Sequence, residues 1–519
     1  MTTTPRPVHA DDSQGSPLVS NAAAIRAVAA AVEGTLGPKG LNCMLVDRFG
    51  EVVITNDGST ILEKIDAVHP AARMLVNVAR AQDQQVGDGT TTATILANAL
   101  IAEAAAQVGR GVPVTRVLEG VRLGVAAAIA GIAQRAIPIR DMDDPLLRQT
   151  TRVAAREQDD LTRLCLDAAR LIGRERLTAP DFRLADWLVA KEGAENEVVR
   201  GVILDKEPMN RQMPREVIEA RVLCLDDALE PEELEESALG TEAGFATFMR
   251  YQQEFREALQ RLIKLGVTAV FVTKAVHDSA EELLTDRGVL IIRRLSARDL
   301  YRVARHTGAR LLKRASLRKT GEELAGALGH AGTVRVDERL GHVRVLDGSG
   351  EAMATMLVGA ATAEVRAERH RVAEDAACAI QAALRGGVVA GGGAAELAAI
   401  TTVEACRREA GAMAAYGVDC VLAALKVPLA QIVTNAGFNA LEKVEAVRAA
   451  MANGGGETLA IDCDTGEVTD MRARGIVDPA PVKIYALRAA GEVAEAILRI
   501  NTIIRKRDDR REEEGSPSA

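Results

Sequence analysis

Apolar residues recur at helical spacing from Leu18 through LVSNAAAIRAVAAAVEGTLG, and the run stops at glycines and Pro38. That pattern predicts a helix closed by a turn. The period then changes. CMLVD and EVVIT are short β-branched runs on either side of Arg48-Phe49-Gly50, the signature of a hairpin. HPAARMLVNVARAQDQQ and TTTATILANALIAEAAAQ return to helical spacing, with Pro70 placed for a first turn, and helix continues to about Ile137. The middle of the chain differs. GVILDKE (201–207), ARVLCL (220–225), VTAVFVT (267–273) and GVLIIRRL (288–295) read as strands separated by helix-like stretches, which predicts an α/β unit with parallel pairing. A long helix returns from about Ala361 to Arg385, and the remainder is mostly helical. A helical domain built from both chain ends, interrupted by an α/β insertion, would bring residues 34–92 near 387–485. No short internal repeat is visible.

Composition narrows the class. A chain of 519 residues is too long for one ordinary core. Hydrophobic residues at 48% and charged residues at 26% are the balance of a soluble globular protein, and aromatics at 2% leave the core to small aliphatic side chains. A net charge of −9 does not favour nucleic acid, whose binding domains are usually basic. No apolar run is read as reaching the roughly 18 residues of a membrane helix. The polar N-terminus lacks the apolar core of a signal peptide, so no membrane partner and a cytoplasmic location are expected. The seven cysteines form no CxxC pair and read as free thiols, and no two of the seven histidines stand four residues apart, so surface or capping roles suit them.

Four segments combine glycine with an acid or hydroxyl: Thr35-Leu36-Gly37-Pro38-Lys39-Gly40, Thr55-Asn56-Asp57-Gly58-Ser59-Thr60, Gly87-Asp88-Gly89-Thr90-Thr91-Thr92 and Ala390-Gly391-Gly392-Gly393-Ala394. In the third, glycines let backbone approach a ligand. The threonine hydroxyls and free N–H groups of a helix start can hold phosphate oxygens. Asp88 beside them would repel phosphate unless a cation stands between, and a hard oxygen ligand next to phosphate suits Mg²⁺. The same residues also read as a plain helix N-cap, Asn-Asp-Gly as a common turn, and the glycine triplet as a loop. The Walker pattern GxxxxGK[ST] is absent, as are HRD, DFG, HExxH and GxSxG, so a P-loop ATPase, a kinase, a zincin and a serine hydrolase are not indicated.

In combination, GTLGPKG, VVITNDGSTIL, EKIDAVHPAARML, VGDGTTTATILA, VVAGGGAAE, GEVTDMRARGIVDPAPVK and EAILRI resemble the chaperonins, in order and spacing over nearly the whole chain. The likeness is closer to the archaeal and eukaryotic type, group II, than to group I. It implies a multi-domain α+β chaperonin fold. Equatorial parts would span 18–142 and 393–506, intermediate parts 143–204 and 356–392, and an α/β apical domain 205–355 with a helical protrusion at about 229–262, between disordered tails at 1–17 and 507–519. In that protrusion Phe245, Phe248, Met249, Tyr251 and Phe255 read either as a core stripe or as a sticky tip for substrate polypeptides and lid contacts.

The resemblance also implies ATP and Mg²⁺ as cofactors, with K⁺ as a further candidate, and roles for single residues. Leu36, Gly37 and Pro38 would pack around phosphate and ribose, and Asp88 would hold the metal. Gly58, Gly87, Gly89, Thr90, Thr91 and Thr92 would line the phosphates. Gly392 and Asp478 would contact the nucleoside, Asp478 toward the ribose, and Asp462 would border the adenine. Asp57 and Asp375 would orient the attacking water. The implied partners are unfolded or partly folded polypeptides and copies of the same chain, in two stacked rings of about eight subunits without a separate co-chaperonin. Two departures stand out. RHRVAEDAACAI followed by RGGVVAGGG is closer to group I, and TTRVAAREQDD lacks the glycine and lysine of the group II nucleotide-sensing loop, leaving Arg152 or Arg156 as substitutes. The mixture suggests the bacterial thermosome-like branch, group III. A chaperonin-fold scaffold without ATPase coupling and a metabolic ATP-dependent enzyme are the rival readings.

Overall fold

The computed structural model describes residues 17–46, 50, 52–232 and 242–502. The expected tails apart from Pro17, which opens the first helix, the tip of the first hairpin and most of the acidic start of the protrusion (233–241) lie outside them. The chain divides into two compact units, Met1–Arg156 with Ala382–Ala519, and Glu157–Gln381.

The first unit opens with α1 (Pro17–Glu33), followed by an antiparallel hairpin of β1 (Cys43–Val46) and β2 (Val52–Thr55) in the register Cys43↔Thr55. Next come α2 (Gly58–Lys64), α3 (Pro70–Val86), α4 (Thr90–Gly109), α5 (Val114–Arg135) and α6 (Pro145–Ala154). Pro70 does occupy the first turn of α3, behind His69, whose Nδ1 accepts from the Ala71 N–H at 3.2 Å. After the second unit the chain returns through β13 (Val388–Ala390) and the Ala394–Glu409, Ala415–Ala424, Val427–Asn435, Ala440–Ala450 and Ala480–Leu498 helices. One apolar core joins both chain ends: Ile25, Leu75, Leu100 and Ile132 share it with Val403, Val421, Leu429 and Ile497. Burying small aliphatic side chains from helices far apart in sequence is what stabilises this unit.

Two stretches here correct the sequence reading. Val114–Arg135 and Ala415–Asn435 are long and apolar enough to cross a membrane. Half of each apolar window is buried, and the Ala415–Ala424 helix packs along α5, so core packing accounts for their composition.

In the second unit β6 (Glu216–Leu225), β7 (Ala269–Val272) and β8 (Leu290–Ile292) pair in parallel, as the alternating pattern predicts. The sheet is mixed, however. The short strand β9 (Leu311–Leu312) pairs in parallel with β6, and the antiparallel strands β10 (Gly329–Asp337) and β11 (His342–Gly348) continue the sheet to β5 (Gly201–Leu204). A three-stranded sheet, β3 (Leu188–Glu192), β12 (Thr355–Ala360) and β4 (Glu197–Val199), forms separately. His306 and His342 are buried here, not at the surface, while His277 caps a helix. All seven cysteines are free.

Candidate functional site

Two of the four glycine segments meet at the N-terminus of α4 in the first unit, and a third is linked to them through Asp478. Gly87 (φ 68°) ends α3 in a left-handed cap, and Gly89 (φ 77°) opens α4 with no side chain capping it. The amides of the first turn are therefore left for another acceptor. Thr90 and Thr92 are buried, and Thr91 is partly exposed. The Asp57 segment lies against them: a Cβ on Gly58 would stand 2.4 Å from Thr91 Oγ1, so only glycine lets the two segments approach this closely. A Cβ on Gly89 would stand 2.5 Å from Val482 Cγ1, which ties the same loop to the start of the Ala480–Leu498 helix. Gln82, fully buried on α3, reinforces that tie. Its Nε2 donates to the Asp88 carbonyl at 2.7 Å and to the Val482 carbonyl at 3.2 Å.

The glycine triplet follows β13, which pairs antiparallel with β16 (Val477–Pro479) and sets Val389 opposite Asp478. The Gly391 N–H donates to the Ile476 carbonyl at 2.9 Å, and Gly392 lies against Met471 and Ala460. This offers an apolar wall beside the carboxylate of Asp478. Asp478 Oδ2 stands 2.9 Å from Lys483 Nζ, which also stands 2.9 Å from Glu396 Oε1. Burial alone would lower the Lys483 pKa, but the two carboxylates outweigh it and raise it above the ordinary lysine value.

Asp88 sits in this field. Burial pushes its carboxyl pKa up, and repulsion from Asp478 adds to the rise, while the Gly89 N–H, Lys483 and Arg156 pull it back. An acid raised by burial and by a neighbouring carboxylate, beside free helix amides, suits a cation and an anionic ligand. Among the described residues, no group of three or more His, Cys, Asp or Glu side chains forms a ready-made metal cage. Such a donor set fits Mg²⁺, which keeps several waters and takes phosphate oxygens alongside one or two carboxylates.

The remaining sequence candidates fall in different places. Asp57 is the N-cap of α2 and accepts from the Ser59 N–H (3.3 Å), Ser59 Oγ (2.9 Å), Thr60 N–H (2.9 Å) and Thr60 Oγ1 (2.6 Å). Burial would raise its pKa, but these donors outweigh that and lower it. Leu36, Gly37 and Pro38 form a turn held by Asn435, whose Nδ2 donates to the carbonyls of Glu33 and Leu36 at 2.8 Å each. Gly37 and Pro38 are exposed, open to a ligand. Asp462 turns the hairpin of β14 (Leu459–Ile461) and β15 (Val468–Asp470), accepting from the Asp464 and Thr465 N–H groups and pairing with Arg474. Asp375 belongs to the second unit, on the Ala363–Gly386 helix that leads back into the first.

Arg156 completes the picture in the first unit. Its guanidinium donates to Asn56 Oδ1, and its backbone takes a left-handed φ of 49°. Arg152 lies on α6. In the second unit the aromatic run divides. Phe255 is buried, edge-on to His277 with centroids 6.1 Å apart, whereas Phe245 (59% exposed) and Met249 (52%) face outward. Phe248 is half-buried, and Tyr251 lies under Arg250 and Arg318. Sequence reasoning missed Gln82, Glu396 and Lys483. The available signal was a lone charge in an otherwise apolar helix start, in GGGAAELAAI and PAPVKIYAL.

The TCP-1/cpn60 chaperonin family model matches residues 28–508. The chain belongs to that family. The chaperonin is 33% identical over 514 residues to a thermosome subunit of Pyrococcus abyssi, covering 95% of this chain and 92% of the relative. It is 34% identical over 502 residues to the thermosome subunit beta of Archaeoglobus fulgidus, covering 93% and 91%. Among solved structures it is similar to a group III chaperonin in the open state, at 45% identity and a TM-score of 0.85 over 94% of this chain and 98% of the other. The multi-domain α+β chaperonin fold read from the sequence is thereby established, and this protein is a chaperonin subunit.

Proposed function

We propose that this subunit is an ATP-hydrolysing machine that encloses unfolded polypeptides in a ring and closes a built-in lid without a separate co-chaperonin. The observation that carries the reading is the convergence of Asp88, the uncapped N-terminus of α4 and Asp478 at one place in the first unit. The first unit covers the proposed equatorial parts together with residues 143–156 and 382–392 of the proposed intermediate parts. The intermediate and apical domains divide the second unit, near residues 204 and 356.

In this reading the amides and hydroxyls of Thr90–Thr92 bind phosphate oxygens, and Leu36–Pro38 close over them. Gly392, with Met471 and Ala460, takes the flat base, Asp462 stiffens the hairpin bordering it, and Asp478 accepts from a ribose hydroxyl. Asp88 is the carboxylate that holds Mg²⁺, which when bound neutralises charge on the transferring phosphoryl group. Asp375 accepts the proton of the attacking water. Asp57 holds the Gly58–Thr60 turn. Its two oxygens already accept four donors, and its lowered proton affinity leaves proton transfer to Asp375. Arg156, reaching Asn56 beside the phosphate segment, is the group placed to report nucleotide state in place of the missing lysine.

The exposed apolar face of the first hairpin supports assembly with copies of the same chain: Leu41, Met44, Val46, Val52 and Ile54 are all exposed. Repeated head-to-tail contacts close rings; two rings of about eight subunits in the cytoplasm are the family expectation. Exposed Phe245 and Met249 support client or lid contact. Identity of 45% to a group III structure, against 33% and 34% to the two archaeal subunits, supports the group III branch.

The test is refolding of a chemically denatured enzyme by the purified assembly, with phosphate release followed in parallel. Recovery that requires hydrolysable ATP and no second protein is expected. Phosphate release without recovery would leave only an ATPase, and recovery without nucleotide dependence would leave a passive scaffold.

A further inference from the structure

Lys483 is an unusual residue for its position. It stands in the first turn of the Ala480–Leu498 helix, where the helix dipole disfavours a cation. Its side chain is nine-tenths buried, and Glu396, its partner, is fully buried in the first turn of the helix that follows the glycine triplet. Glu396 Oε1 pairs with the Lys483 ammonium at 2.9 Å, and among the described residues Oε2 has no hydrogen-bond partner. Well-packed apolar residues could fill such a place at no loss of stability, so fold stability alone does not account for the ions. The third member of the cluster, Asp478, is the least buried and borders the glycine triplet.

The connections of Lys483 run both ways. Through its ammonium it holds Asp478 at 2.9 Å. Through its backbone neighbour Val482, gripped by Gln82, it is fixed to the loop that carries Asp88. The same turn of helix therefore fastens the phosphate loop and the nucleoside loop to each other.

We infer that Lys483, braced by Glu396, is a positioning residue of the nucleotide site that aims the Asp478 carboxylate at the ribose hydroxyls of a bound nucleotide. The inference rests on the proposed contact between Asp478 and ribose. Lys483 itself touches no ligand; its effect on nucleotide passes through Asp478.

The test compares equilibrium binding of ATP and of 2′,3′-dideoxy-ATP to the full-length assembly, with thermal unfolding as a check of folding. Wild-type protein prefers ATP. Asp478→Asn brings that preference toward one. Lys483→Met weakens ATP roughly 10- to 100-fold, as expected for loss of a charge-assisted hydrogen bond, but weakens the dideoxy analogue far less. Lys483→Arg recovers part of the preference. Should Lys483→Met fail to fold because Glu396 is left unpaired, the double variant E396Q/K483M removes both buried charges, and the same loss of preference is expected. A folded K483M or E396Q/K483M protein that keeps the wild-type preference, while Asp478→Asn loses it, overturns the role of Lys483. If Asp478→Asn keeps the preference as well, the ribose contact falls first and the inference with it.

Discussion

One cluster in each unit of this chaperonin breaks a rule of a folded protein, and the two clusters break opposite rules, although the first unit also exposes an apolar face on its first hairpin. The first buries polar groups: Gln82, Thr90, Thr92, Glu396 and Lys483 are all under one-tenth exposed and cluster where the glycine segments meet. The second exposes apolar ones: Ile218, Phe245, Met249 and Tyr301 face outward from an otherwise apolar-cored sheet unit. A buried charge or amide costs free energy unless a partner or ligand satisfies it, and an exposed apolar group marks a surface that awaits contact. The difference teaches where to look for two kinds of recognition, small and anionic in one unit, large and apolar in the other.

Substitutions can break that division. The largest effect is expected at Asp375, the one proposed nucleotide residue that lies in the second unit. Asp375→Ala should keep ATP binding and lower phosphate release by roughly 10²- to 10⁴-fold, the usual share of a general base. Turnover near wild type in that variant would remove Asp375 from the mechanism. Asp88→Ala comes next. Mg²⁺-dependent nucleotide binding should weaken roughly 10- to 100-fold. Without nucleotide the melting temperature should hold or rise, because a carboxylate repelled by Asp478 is gone. A fall in apo stability with unchanged Mg²⁺-nucleotide affinity would recast Asp88 as a structural cap.

The second unit offers a smaller effect of another kind. F245S/M249S should weaken capture of a denatured client by about tenfold, the order expected for losing one buried apolar side chain, with phosphate release unchanged. Equal client capture by the variant would assign the exposed pair to lid contacts alone. The smallest effect belongs to Asp57. Loss of an N-cap costs about 1 kcal/mol, so Asp57→Ala should be less stable by that amount at neutral pH. Its folded-state pKa is lowered below the ordinary 3.8, so the stabilisation is fully present above that value and lost as pH falls through the folded pKa. The gap between wild type and variant in denaturant melts should therefore close only in strong acid. A gap that closes near pH 6 would point to another group.

How much was legible in the sequence follows the same division. Period alone located α3 with its first-turn Pro70, the first hairpin and the parallel strands β6, β7 and β8, because each is set by local patterning. The return of helical spacing after the α/β insertion also foretells the union of both chain ends in one core, whereas the antiparallel strands β10 and β11 depend on partners far apart in sequence. The glycine segments were visible as motifs because close approach forbids a side chain, as Gly58 against Thr91 makes concrete. Val114–Arg135 is read correctly as helix but as too short an apolar run to cross a membrane; its length does suffice, and packing rather than composition separates a core helix from a membrane helix. Lys483 and Glu396 each stand as a lone charge in an apolar helix start, but that local signal does not show their pairing. Their sequence separation hides it, and only the fold brings them to 2.9 Å.

The central claim is that the glycine segments of the first unit hold a nucleotide. An electron cryomicroscopy reconstruction of the assembly with Mg²⁺, ADP and a γ-phosphate mimic tests it most directly. Phosphate density against Thr90–Thr92, a cation at Asp88 and the ribose beside Asp478 are the expected result. Nucleotide lodged elsewhere, for instance in the 430 Å³ cleft that Arg135, Glu457, Asp470 and Arg472 line behind β13, would contradict it.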